Sequence, residues 1–203
     1  MNPIPGRSGI LTMPSFYHPA FEDAYRFIIN GYRVPEHEIC IFLPCSMKKP
    51  FSTSPSHRIF DAVIASRLPP GAAHRVVFGT CGVVPRELER MFPFTHYRYM
   101  LGKCTDERIK RDFYRIETPR LAGYLRKTRE TYRHRVAYCL GGFRKAMISA
   151  SEETGIPVRI LPTDASIRRQ QRSDLAFADG SLHMEAYLEE FGKALAALAS
   201  SEK

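Results

Sequence analysis

The apolar positions of the chain change period several times, and each change marks a new element. Between residues 19 and 32, Phe21, Tyr25, Phe27, Ile28 and Tyr32 recur at near-helical spacing, which predicts an amphipathic helix ended before Pro35. Ile39-Cys40-Ile41-Phe42-Leu43 is then continuously apolar, short and rich in β-branched residues, the pattern of a strand buried on both faces. Ser54-Pro55 reads as a helix start, with Ser at the N-cap and Pro at the first helical position. Ile59, Phe60, Val63, Ile64 and Leu68 supply that helix's apolar face, and Pro69-Pro70-Gly71 ends it. Arg75 to Thr80 predicts a second strand, Cys81 to Val84 a turn, and Pro85 the start of a short helix with Leu88, Met91 and Phe92 inward.

Residues 94–118 show no clear period, because Tyr97, Tyr99, Phe113 and Tyr114 are scattered among charges. A helix is predicted from about Arg120 to His134, then a third strand from Arg135 to Leu140, closed by Gly141-Gly142. Phe143, Ala146, Met147 and Ala150 mark the next helix, stopped at Gly155, and Pro157 to Leu161 a fourth strand. Arg168 to Asp174 reads as a charged connector, and Leu182 to Leu198 as the last helix. Residues 1–203 are expected to form one domain, with an irregular Pro- and Gly-rich arm at 1–15 and a C-terminal helix within 181–203.

Strands alternating with helices in this way predict an α/β fold, a mostly parallel sheet with helices on both faces. In such sheets ligands bind beyond the carboxyl ends of the strands. That rule selects four loops, beginning at Pro44-Cys45, Thr80-Cys81-Gly82, Leu140-Gly141-Gly142 and Leu161-Pro162-Thr163-Asp164.

Composition narrows the picture further. With 44% apolar and 25% charged residues, disorder throughout the chain is excluded. No stretch is long and apolar enough to predict a membrane-spanning helix, and the first residues lack the order of a secretory signal, so a cytoplasmic protein is expected. The net charge of +9 makes a polyanionic partner plausible, although charge alone does not separate that from a merely basic surface. Five dispersed cysteines with no CxxC pair indicate neither a disulfide framework nor a zinc site, and no metal or other cofactor is expected.

The loop after the first strand concentrates the candidate chemistry. Residues 44–57 gather the Cys45 thiol, the Lys48 and Lys49 ammonium groups, four hydroxyls and the His57 imidazole. Nearby cations and a helix N-terminus favour thiolate over thiol, so Cys45 is a candidate nucleophile. Each residue also has an ordinary use: a Cys that packs, lysines in solvent, a Ser that only caps, a His that bonds locally.

The spacing within this loop is Pro-Cys, three residues, Lys-Pro-aromatic, two residues, Ser, two residues, His. It resembles the signature loop of archaeosine synthase, a tRNA-modifying family related to tRNA-guanine transglycosylase. Pro44, Cys45, Lys49, Pro50, Ser54 and His57 match its pattern, and Phe51 stands where the family usually has Tyr. Gly82-Val83-Val84-Pro85-Arg86-Glu87-Leu88-Glu89 is similar to the family's second recognisable segment. The resemblance covers roughly residues 18–165. It implies a three-layer α/β/α fold similar to uracil-DNA glycosylases. The inactive transglycosylase-like domain and the PUA RNA-binding domain found in family members are not expected within 203 residues, so the chain would hold tRNA with its own core, as its arginine excess suggests, or borrow a separate protein that carries those domains.

The resemblance also implies a reaction, in which the side-chain amine of free lysine adds to the nitrile of 7-cyano-7-deazaguanine in tRNA and a radical-SAM partner protein converts the adduct. On that reading Cys45, Lys49, Ser54 and His57 are the candidate catalytic residues: Cys45 attacks the nitrile carbon, His57 passes protons, Lys49 polarises the nitrile or holds phosphate, and Ser54 hydrogen-bonds substrate. Pro44, Lys48, Pro50, Phe51, Cys81, Gly82, Gly141 and Asp164 are candidates for holding substrate, Phe51 by stacking on the base and Asp164 by gripping an amino group. Arg98, Lys103, Arg108, Lys110, Arg111, Arg115, Arg126 and Arg129, interleaved with aromatics, are candidates for RNA contact. Two other classes stay open: a non-catalytic tRNA-binding subunit and a base glycosylase-like enzyme.

Overall fold

In the computed structural model, residues 13–171 and 181–200 are described. The sheet has five strands: β1 (Ile39–Pro44), β2 (Ala73–Gly79), β3 (Gly82–Pro85), β4 (His134–Tyr138) and β5 (Arg159–Leu161). Their order is β3-β2-β1-β4-β5, parallel except for the β2–β3 pair. The central strand, β1, is apolar throughout because both its faces are covered.

Side-chain alternation along β1 divides the core in two. Ile39, Ile41 and Leu43 meet α2 (Pro55–Ala65) and α6 (Glu185–Ser200) through Phe60, Ile64, Tyr187, Phe191 and Leu195. Cys40 and Phe42 point the other way, toward α1 (Pro19–Asn30), α3 (Glu107–Lys127) and α4 (Gly141–Thr154). The result is the expected α/β architecture in three layers. A short helix, α5 (Asp164–Gln171), adds Ile167 to the first core. Among the described residues no helix is long and apolar enough to cross a membrane.

Four expectations are corrected. Residues 82–85 form an antiparallel edge strand where a turn was expected, because Gly82, at φ +76°, lets the chain double back tightly on β2. Met91 and Phe92 are exposed at 45% and 44%, since the turn after β3 is a short 3-10 helix (Arg86–Leu88) with only Leu88 buried. The helix expected from Arg120 starts at Glu107 and passes through Pro119, whose exposed ring is tolerated while Phe113, Leu121, Ala122, Tyr124 and Leu125 are buried along the same helix. Arg168 to Gln171 of the expected connector are helical, and residues 172–174 lie outside the described residues. Of the N-terminal arm expected at 1–15, residues 1–12 lie outside the described residues, and Ser15 is buried with its hydroxyl donating to the Thr80 carbonyl.

Candidate functional site

Strand order fixes where a crevice opens. The chain leaves β1 through α2 to β2 on one side, while β4 and β5 extend the sheet on the other. The carboxyl ends of β1 and β4 therefore flank the point where the order reverses, where doubly wound sheets bind ligands. A cavity of about 900 Å³ lies there. Pro44 and Cys45 from the end of β1 line it, with Leu140, Gly141 and Gly142 from the end of β4. Lys48, Ser54, Ser56, Lys110, Tyr114 and His183 add polar groups to its lining.

Cys45 is half-buried in this cavity, and its sulfur lies 3.7 Å from the Thr80 hydroxyl. A Cβ on Gly79 would fall 2.5 Å from that sulfur, so the neighbouring strand must carry glycine for the thiol to sit where it does. The cavity also meets the first turn of α4, whose N-cap, Leu140, offers no side-chain acceptor. The first amides of that 14-residue helix face a region suited to an anion.

The other loop residues are placed differently from one another. Ser54 caps α2, its hydroxyl accepting from the His57 amide at 3.2 Å. His57 is fully buried: its Nε2 donates to the Pro44 carbonyl at 2.8 Å, and its Nδ1 accepts from Arg86 Nη1 at 2.7 Å. Burial first, and the Arg86 charge second, push the imidazole down to about 4, so at neutral pH it is uncharged with both nitrogens engaged. That leaves it without a free nitrogen for the proton passing expected of it. Phe51 is fully buried against the His57 ring, which leaves it no face for a base.

Lys49 is half-buried, its ammonium 3.9 Å from the centre of the Tyr97 ring; burial lowers its affinity for the proton, against the opposing effect of the nearby Cys45 and Cys81 sulfurs. Lys48, beside it, is exposed and lines the cavity. Cys81 and Gly82 are buried and do not line it. A Cβ on Gly82 would meet the buried Glu117 carboxylate at 2.6 Å, and burial raises that carboxyl to about 7. Asp164 is exposed, receives Arg144 Nη2 at 2.7 Å, and lines a smaller cavity of about 300 Å³ that shares Leu140 and Gly141 with the first.

The candidate RNA residues separate into two groups. Lys110 lines the cavity, and Arg98, Lys103, Arg108 and Arg111 are exposed before α3 or in its first half. Arg115 pairs with Asp112 at 3.2 Å. At the other end of α3, Arg126 pairs with Glu153 and Arg129 donates to the Thr154 carbonyl. Of the interleaved rings, Tyr97 and Phe113 belong to the core, whereas Tyr114 lines the cavity. Thr80 stands in one of the four loops selected from the sequence, whereas sequence reasoning missed Gly79 and Tyr97 as neighbours of the thiol. Nothing in their local pattern marks them, because each reaches Cys45 from another part of the chain.

A family described as a domain of unknown function, DUF5591, matches residues 24–175. This chain belongs to the DUF5591 family. The matched span carries the sheet, Cys45, the second cavity and most of the first cavity's lining, with His183 beyond it. The domain is like part of several curated proteins. It is 33% identical over 134 residues to archaeosine synthase subunit alpha of Methanosarcina acetivorans, covering 66% of this chain and 20% of that protein. It is 33% identical over 86 residues to the subunit of the same name from Thermoplasma acidophilum, covering 42% and 17%. It is 41% identical over 71 residues to archaeosine synthase of Haloferax volcanii, covering 34% and 11%. The chain thus spans a fifth or less of the length of these relatives. The crystal structure of AF0587, a protein of unknown function, shares the fold with a TM-score of 0.54 at 18% identity, covering 88% of this chain and 50% of that one.

Proposed function

We propose that this DUF5591 domain takes part in archaeosine biosynthesis and joins the side-chain amine of free lysine to the nitrile of 7-cyano-7-deazaguanine in tRNA. The observation that carries the reading is the half-buried Cys45 thiol lining the switch-point cavity, in a loop with the spacing of archaeosine synthases. The similarity to archaeosine synthases of three archaea supports it.

A nitrile is a weak electrophile, and a lysine amine is mostly protonated at neutral pH. Covalent catalysis splits the difficulty. The Cys45 sulfur adds to the nitrile carbon while the nitrile nitrogen takes a proton, giving a thioimidate. The amine then adds to the same carbon, the C–S bond breaks, and the thiolate is regenerated beside an amidine. Atoms balance with no reductant, no ATP and no cofactor.

Lys48, Lys110 and the open amides of α4 hold phosphate or carboxylate around the cavity. Ser54, His57, Pro50 and Phe51 hold the loop, and Lys49 braces it against Tyr97. Pro44 presents Cys45, and Gly141 and Asp164 flank the second cavity, which takes the amino-acid end of lysine. RNA tracks over Arg98, Lys103, Arg108, Lys110, Arg111 and Arg115, before α3 and in its first half, where Lys110 lines the cavity. A radical-SAM protein and a PUA-bearing protein act with this one.

The test is incubation of cyano-deazaguanine tRNA with lysine and the protein, followed by mass analysis of the nucleosides. A lysine adduct is the expected product, and Cys45→Ala is expected to abolish it. Loss of the base without an adduct would indicate a glycosylase, and unchanged nucleosides a binding subunit. Full activity of Cys45→Ala would eliminate the covalent step.

A further inference from the structure

Arg86 and Glu89 lie three residues apart, on and just after the short turn that follows β3, and both side chains are largely buried. Together they reach three points of the loop and helix that follow Cys45. Arg86 Nη1 donates to His57 Nδ1 at 2.7 Å, and Nη2 donates to Asp61 at 2.6 Å. The Glu89 carboxylate accepts from the Ser52 amide at 3.0 Å and from the Ser52 hydroxyl. Between these grips lies Phe51, fully buried and stacked on His57.

The consequence for Cys45 follows from donor and acceptor roles. A guanidinium only donates, so Nδ1 of His57 must present a lone pair. The ring proton then resides on Nε2, which donates to the carbonyl of Pro44, the residue bonded to Cys45. Reversing the tautomer would set a lone pair against a carbonyl oxygen and an N–H against a guanidinium.

We propose that Arg86 is a positioning residue for Cys45: by fixing the His57 tautomer it locks the Pro44 carbonyl, and with Glu89 it buckles the loop that carries the thiol. This rests on the assignment of Cys45 as the reacting group. The groups facing the imidazole are the Arg86 guanidinium, the Pro44 carbonyl and the rings of Phe51 and Phe60, while Asp61 and Glu89 bind the guanidinium.

The experiment uses the free protein and iodoacetamide, with carboxamidomethylation of Cys45 followed by peptide mass analysis from pH 5 to 9, so it is independent of any tRNA reaction. In Arg86→Met the Nδ1 lone pair of His57 loses its donor while the ring stays buried, and the Cys45 rate is expected to differ several-fold from wild type at each pH. Glu89→Gln, which leaves the Arg86–His57 bond in place, is expected to change the rate less. A wild-type rate in Arg86→Met across the whole range overturns the proposal. Nitrogen NMR of wild-type His57 provides a measurement that needs no variant. The Nε2–H tautomer held from pH 5 to 8 supports the proposal, and titration of His57 near its ordinary value of about 6.5 overturns it.

Discussion

Cys45 and His57 occupy one short loop and helix start but opposite environments. The thiol opens on a cavity, whereas the imidazole is enclosed with both nitrogens bonded. The enclosure has a consequence for stability. Folding holds His57 as the neutral ring, about 4 against an ordinary 6.5, so the unfolded chain binds more protons between those values. The contribution of His57 is therefore fully present above about 6.5 and is lost as the pH falls toward 4. Urea unfolding of the wild-type protein is expected to show decreasing stability across that window. His57→Phe, which cannot titrate, is expected to flatten the slope.

At the scale of elements, α2 joins fold to site. Its start was legible in Ser54-Pro55 because capping is local: the hydroxyl answers an amide three residues away. Ser54→Ala is expected to cost about 1 kcal/mol in urea unfolding, and Ser56→Ala, which does not cap, less than about 0.5 kcal/mol. The strands β1, β2, β4 and β5 were legible for a related reason, since each carries a short apolar run, which fills the whole of the central β1 and the carboxyl-terminal part of the others. The edge strand β3 was not, because four residues after a glycine carry too short a pattern to separate strand from turn. Nor was the first half of α3, where charges obscure the period and Pro119 reads as a boundary. Burial of Phe113 at one end and Leu121 to Leu125 at the other holds the helix together across that proline.

For the whole molecule, the charge of +9 takes a direction once α3 is placed. Lys110 lines the cavity, where it also pairs with Glu107 at 2.7 Å, while Arg126 is engaged with Glu153 at the far end of the helix, away from the cavity lining. Lys48→Ala and Lys110→Ala are each expected to weaken tRNA binding and to reduce the slope of log affinity against log salt by about one. Arg126→Ala is expected to leave both nearly unchanged. Equilibrium binding measured across a salt series checks all three, and equal losses in every variant would place the RNA elsewhere.

The sequence by itself determined the α/β class, most of the strands and helices, the four loops at the strand ends and the loop that bears Cys45. These follow from periodicity, caps and turn residues, which act over a few positions. Tertiary structure alone decided which loops meet, because strand order depends on pairing between distant segments. It joined Pro44-Cys45 to Leu140-Gly141-Gly142 around one cavity and buried Cys81 out of it. It also decided the state of each side chain in the loop. Lys48 and Lys49 are adjacent and chemically alike, yet one faces solvent and the other lies over Tyr97, 48 positions away from it in the chain. The bend after β1 turns these consecutive residues to different sides, and what waits on each side is supplied by remote parts of the chain.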